Sequence, residues 1–206
     1  MLVRLSDRKD IIYEVSSQFA LSTIDDRVHP ELFAFLEDEE AVSLFWEILK
    51  QDNAKYDELC AKISTRAAGS CSVVGTLNEL GKTHKLPYSS LAIVDGDKRD
   101  AFPNCLSLPG NLAPEKQVLM DLKNIGWNRL DERFGIGAGM LFKYLDDTVL
   151  LPDHHEWTTY IGDHVKKSKD AVWSILIEEW HKQCLNEEDA IAFIENVYTA
   201  LRPHRE

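Results

Sequence analysis

The alternation of apolar and polar positions changes rhythm near residue 30. Before it, short apolar runs at residues 2–5, 11–15 and 19–21 are separated by charged clusters. That spacing predicts two or three strands in a hairpin-like lead-in over residues 1–30, too small to enclose a core and suited to a connection from a preceding domain. From Glu31 onward, strands and helices alternate. The run Leu32-Phe33-Ala34-Phe35-Leu36 is almost wholly apolar, as in a strand covered on both faces, and it passes directly into Glu37-Asp38-Glu39-Glu40. Carboxylates there favour a helix start, and Ala41, Leu44, Phe45, Ile48 and Leu49 recur at helical spacing through Lys50. A second strand is predicted at residues 59–64 and a helix at 73–80, closing near Gly81. The third strand, Leu91-Ala92-Ile93-Val94, ends in Asp95-Gly96-Asp97. The fourth, Cys105-Leu106-Ser107-Leu108, ends in Pro109-Gly110, and Pro114 then suits the first turn of a helix carrying Val118, Leu119 and Leu122.

This order predicts an α/β fold with a parallel sheet flanked by helices, occupying residues 31–124. Ligands of such sheets bind beyond the carboxyl ends of the strands, where the acidic residues fall. After Asn124 the strand signal fades. Leu130 with Phe134, then residues 140–145, 172–180 and 191–201, read as helices interrupted by Gly135, Gly137, Gly139 and Pro152. Residues 125–206 are therefore expected to form a C-terminal helical appendage packed on the core. Trp127, Trp157, Trp173 and Trp180 stand at helical spacing with Leu and Ile, which suits core positions better than base stacking.

Composition adjusts this picture in three ways. With 206 residues, 44% of them apolar, the chain can bury a core. It has no apolar run of membrane-spanning length, and its first twenty residues carry Arg4, Asp7, Arg8, Lys9, Asp10 and Glu14 instead of an apolar leader, so no membrane is expected as a partner and a cytoplasmic location is. Cys60, Cys71, Cys105 and Cys184 lack metal-knuckle spacing and read as reduced thiols, while His154 and His155, beside Glu156, read as a solvated loop pair. Finally, 23 basic against 35 acidic residues gives a net charge of −12. A surface so acidic repels nucleic acid unless basic residues are segregated or cations offset the carboxylates.

Carboxylates at converging strand ends are the ligand type that hard cations such as Mg²⁺ and Mn²⁺ require, and such ions assist phosphodiester cleavage. The motif Phe35-Leu36-Glu37-Asp38-Glu39-Glu40-Ala41, the strand end Ile93-Val94-Asp95-Gly96-Asp97, and Ser107-Leu108-Pro109-Gly110 followed by Pro114-Glu115 together resemble the TOPRIM domain of OLD-family, ATPase-associated nucleases. The resemblance spans about residues 31–123. It implies a TOPRIM-like core and a metal-dependent DNA endonuclease or nickase that serves antiviral (anti-phage) defence. It also implies one or two Mg²⁺ or Mn²⁺ ions held by Glu37, Asp95, Asp97 and Glu115, with Asp38 or Glu40 as outer ligands. A downstream basic residue that stabilises the scissile phosphate would be Lys167, from the group Lys166, Lys167 and Lys169. The implied partners are DNA and an ABC-type ATPase domain or subunit, with a homo-oligomer compatible with the pattern; the chain itself carries no Gly-x-x-x-x-Gly-Lys-Ser/Thr loop.

Two other readings accompany this one. A receiver-like phosphoacceptor domain would use the acidic cluster and Asp95, but it leaves Asp97 and the Pro-Glu element without a role. A catalytically idle TOPRIM scaffold for an ATPase partner would fit the acidic net charge.

Overall fold

A computed structural model describes residues 2–5, 9–12 and 29–202. In the lead-in, β1 (Leu2–Leu5) and β2 (Lys9–Ile12) form an antiparallel hairpin, with Leu2 opposite Ile12 and Leu5 opposite Lys9. The further strands expected near residues 13–15 and 19–21 lie outside the described residues.

The central layer is a four-stranded, all-parallel sheet flanked by helices. Strand β3 (Leu32–Leu36) leads into α1 (Glu39–Leu49), then α2 (Tyr56–Lys62) and β4 (Ile63–Ala67). Helix α3 (Cys71–Lys82) crosses to β5 (Ser90–Val94), a 3₁₀ turn (Gly96–Lys98) follows, and β6 (Leu106–Ser107) completes the sheet in the order β4-β3-β5-β6. Residues 59–62, expected as strand, are helix, and the strand begins at Ile63. Tyr56-Asp57-Glu58 brings carboxylates to a helix first turn, and Lys62 pairs with Glu58 one turn away at 2.7 Å. Strand β4 lies at the sheet edge, so Ser64, Thr65 and Arg66 need not be apolar. The last strand is shorter than expected, two residues instead of four.

Alternation along β5 separates two cores. Ile93 faces the main cluster, while Ala92 and Val94 pack with Val74 of α3 on the opposite face. The main cluster continues from Leu32, Ala34 and Leu36 through α1 into the C-terminal helices α4 (Pro114–Asn124), α5 (Leu130–Phe134), α6 (Ala138–Thr148), α7 (Trp157–Val165), α8 (Lys169–Gln183) and α9 (Glu187–Leu201). The helical part and the sheet thus share one apolar interior. Trp127, Trp157, Trp173 and Trp180 are buried in it, and each indole N–H has an acceptor: Asp146, the Leu151 carbonyl, the Glu40 carbonyl and Asp121 respectively. Among the described residues, no helix is long and apolar enough to cross a membrane.

Three contacts fix the helix starts next to the end of β3. Asp38 caps α1 by accepting the Ala41 N–H at 2.8 Å. Ser168 caps α8 in the same way through Ala171, and the Trp173 N–H donates to the Glu40 carbonyl at 3.1 Å. The start of α8 is thereby held against the start of α1, directly beside the carboxyl end of β3.

Candidate metal centre at the strand ends

Parallel pairing of β3 with β5 sets Glu37 and Asp95 side by side, each one residue past its strand. The Asp95 backbone N–H donates to Glu37 Oε1 at 3.1 Å, which fixes the glutamate across the strand ends. Asp95 is 7% exposed. Its Oδ1 is buried without a hydrogen-bond partner. Burial first, and then the charges of Glu37, Asp38, Asp97 and Glu115, push its carboxyl up to about 8. Glu37 is also raised, by burial and by the charges of Asp97 and Asp38, against the lowering effect of the Asp95 N–H and Lys98.

Glu115 enters from the first turn of α4, where Pro114 starts the helix. It is 1% exposed. Its Oε2 is a second buried oxygen without a partner, and burial followed by Asp38 raises its pKa while the His155 contact and its own backbone N–H lower it. A carboxylate oxygen deprived of solvent and of donors is costly unless the group holds a proton or a cation. Asp95 Oδ1 and Glu115 Oε2 are two such oxygens.

Other expected residues occupy the rim. Asp97 is exposed and pairs with Lys98 at 2.7 Å. Asp38 is engaged as the α1 cap, and Glu40 forms an ion pair with Lys169. Lys167 is exposed just before α8. Lys169, by contrast, has its pKa raised first by its bond to Glu40 and also by the charge of Glu115, so it faces the acidic cluster.

No protein-family model, curated protein or solved structure matches this chain. The chemistry of the site therefore rests on its own geometry.

His155 is exposed and His154 partly so, as expected of a solvated pair, but the pair also has a partner. They form a 3₁₀ turn whose start is capped by Asp153, with their rings stacked at 4.1 Å between centroids. His155 Nδ1 and Glu115 Oε1 are hydrogen-bonded at 3.1 Å. Potential ligand atoms of Glu115, His154 and His155 all lie within 4.8 Å of one another, the one such group among the described residues. The four carboxylates expected as one ligand set surround the strand ends more loosely. Burial, then His155 and Lys116, lowers the His154 pKa.

Gly96 packs closely against backbone of the loop at residues 110–112. A Cβ there would lie 2.7 Å from the Gly110 carbonyl oxygen and 3.0 Å from that of Leu112. Arg99 holds the same loop by donating to Ser107 Oγ at 2.8 Å and to the Gly110 carbonyl at 2.8 Å. Gly96→Ala is therefore expected to lower stability by about 1–2 kcal/mol through overpacking against rigid backbone. Chemical denaturation would show a lower midpoint with an unchanged slope.

Proposed function

We propose that this protein is a divalent-metal-dependent phosphodiesterase of the TOPRIM type that nicks or cuts DNA. The observation that carries the reading is the pair of buried, unpartnered oxygens, Asp95 Oδ1, whose residue bonds Glu37 at the carboxyl ends of parallel strands, and Glu115 Oε2, whose charge acts on Asp95. An all-oxygen donor set of this kind suits Mg²⁺ or Mn²⁺. Glu37, Asp95, Asp97 and Glu115 would hold the ion or ions. When bound, such a cation supplies Lewis-acid stabilisation of charge on a phosphate and acidifies water.

The chain's own residues supply the rest. Carboxylates buried among one another select a cationic ligand and orient it against the strand ends. Asp97 can exchange its Lys98 partner for a cation, because both side chains are at the surface. Lys169 reaches toward the cluster and is better situated than Lys167 to offset charge on a phosphate. Lys98, Lys116 and Lys169 border the acidic centre, which supports local attraction of a polyanion in a chain whose net charge is −12. By the resemblance to OLD-family nucleases, an ATPase partner would govern access to DNA, and the cut would act in defence against phage.

The test is relaxation of supercoiled plasmid. Incubation with Mg²⁺ or Mn²⁺ is expected to convert supercoiled to open-circular DNA, and EDTA to abolish the conversion. Relaxation unaffected by EDTA would remove the metal from the reading.

A further inference from the structure

We propose that Glu115, His154 and His155 form a second, nitrogen-containing site that takes a borderline transition-metal dication of the Co²⁺ or Zn²⁺ class in preference to Mg²⁺. The three residues come from two elements, the first turn of α4 and the 3₁₀ turn before α7, and present ligand atoms within 4.8 Å of one another. A second observation points to a ligand. Glu115 is 1% exposed, and its Oε2 has no partner in a place no solvent reaches.

The separations fit an ion. Nδ1 of His155 and Oε1 of Glu115 are 3.1 Å apart. Two neighbouring ligands with bonds of about 2.1 Å lie about 3.0 Å apart at an octahedral angle and about 3.4 Å apart at a tetrahedral one. A cation can thus sit between the two groups, bound through Nδ1 of the neutral imidazole with the ring proton on Nε2, which is accessible because the His155 side chain is 60% exposed. The His154 ring lies against His155 at 4.1 Å and meets the Trp157 ring edge-on at 6.4 Å, and it offers a nitrogen within 4.8 Å of the other two ligand atoms.

Chemistry sets the preference. Imidazole binds first-row transition metals well, whereas Mg²⁺ favours oxygen donors and retains its water. The strand-end carboxylates offer oxygen alone, and this site adds two imidazoles. The two sites meet at Glu115, one of whose oxygens faces His155 while the other is unpartnered. The inference stands without the nuclease reading, since an inactive protein could bind the ion equally well.

The experiment is a Co²⁺ titration of metal-stripped, full-length protein, followed by visible absorption and calorimetry. The wild type is compared with His154→Ala/His155→Ala and with Asp95→Asn. Both histidines lie in a surface turn, and far-ultraviolet circular dichroism checks that the variants fold. The expected result is Co²⁺ absorption bands in the wild type, retention in Asp95→Asn, at least tenfold weaker binding in the double histidine variant, and little displacement by a hundredfold excess of Mg²⁺. Equal binding by the wild type and the double histidine variant overturns the proposal, as does the absence of Co²⁺ bands or complete displacement by Mg²⁺. Binding lost only in Asp95→Asn would overturn this site and leave the strand-end centre standing.

Discussion

Asp95→Asn is expected to lower metal-dependent plasmid nicking by about a thousandfold while the protein stays folded. The substitution keeps the size and one oxygen of the side chain but removes the charge nearest the middle of the strand-end cluster. If cation-mediated charge stabilisation supplies about 4 kcal/mol of the barrier reduction, its loss corresponds to roughly three orders of magnitude in rate. The metal-free protein should not suffer. Its Asp95 carboxylate has no partner for Oδ1 and is surrounded by Glu37, Asp38, Asp97 and Glu115, so an amide there removes repulsion. Loss of nicking together with an equal or higher melting temperature is the signature of a binding carboxylate. Loss of both would describe a structural one.

The second large effect concerns stability and pH. Asp95 in the folded, metal-free protein is raised from 3.8 to about 8. A raised acid keeps in the folded state a proton that the unfolded chain has already released. Stability therefore falls as pH rises from about 4 to about 8, and above that range both states are ionised and the full cost remains. Glu37 and Glu115, also raised, act in the same direction. After relaxation of the site, roughly 2–3 kcal/mol of the destabilisation should survive, or about 5–10 °C in melting temperature for a chain of this length. Thermal scans of metal-free protein at pH 5 and pH 8 should show that fall, and Asp95→Asn should flatten it. Saturating Mn²⁺ should stabilise the wild type more at pH 8 than at pH 5, because binding at low pH must first displace a proton. A melting temperature of the metal-free wild type that rises over this interval, in parallel with Asp95→Asn, would contradict the assignment.

Parts of this site were legible in the sequence for a plain physical reason. Strands such as Leu32–Leu36 and the one ending at Val94 are covered on both faces, so their residues are continuously apolar and the first charged residue marks the strand end. Glu37 and Asp95 could be located from that boundary alone, and Pro114 marked the helix that carries Glu115. The edge strand β4 gave no such signal, because one side of it is open and its sequence is Ile-Ser-Thr-Arg-Ala.

Contacts between distant segments were hidden. Nothing local ties His154 and His155 to a glutamate some forty residues earlier; the 3₁₀ turn set by Asp153 and the packing of α7 against α8 bring them there. Asp153 before the histidine pair, followed by apolar positions at Trp157, Ile161 and Val165, was the available hint of a capped helix start. Among the lysines, the choice depends on where α8 begins. The Ser168 cap turns Lys169 into the first helical residue and points it at Glu40, whereas Lys167 precedes the cap.

The central claim is that a divalent cation belongs between the carboxylates at the ends of β3 and β5. It is tested most directly by anomalous diffraction from crystals of the protein grown with Mn²⁺. The account predicts an anomalous peak roughly 2.0–2.4 Å from Asp95 Oδ1, with Glu37 or Glu115 among its further ligands. Fully occupied Mn²⁺ elsewhere in the crystal, with no peak at Asp95 and its Oδ1 bonded to a protein donor or water, would contradict it.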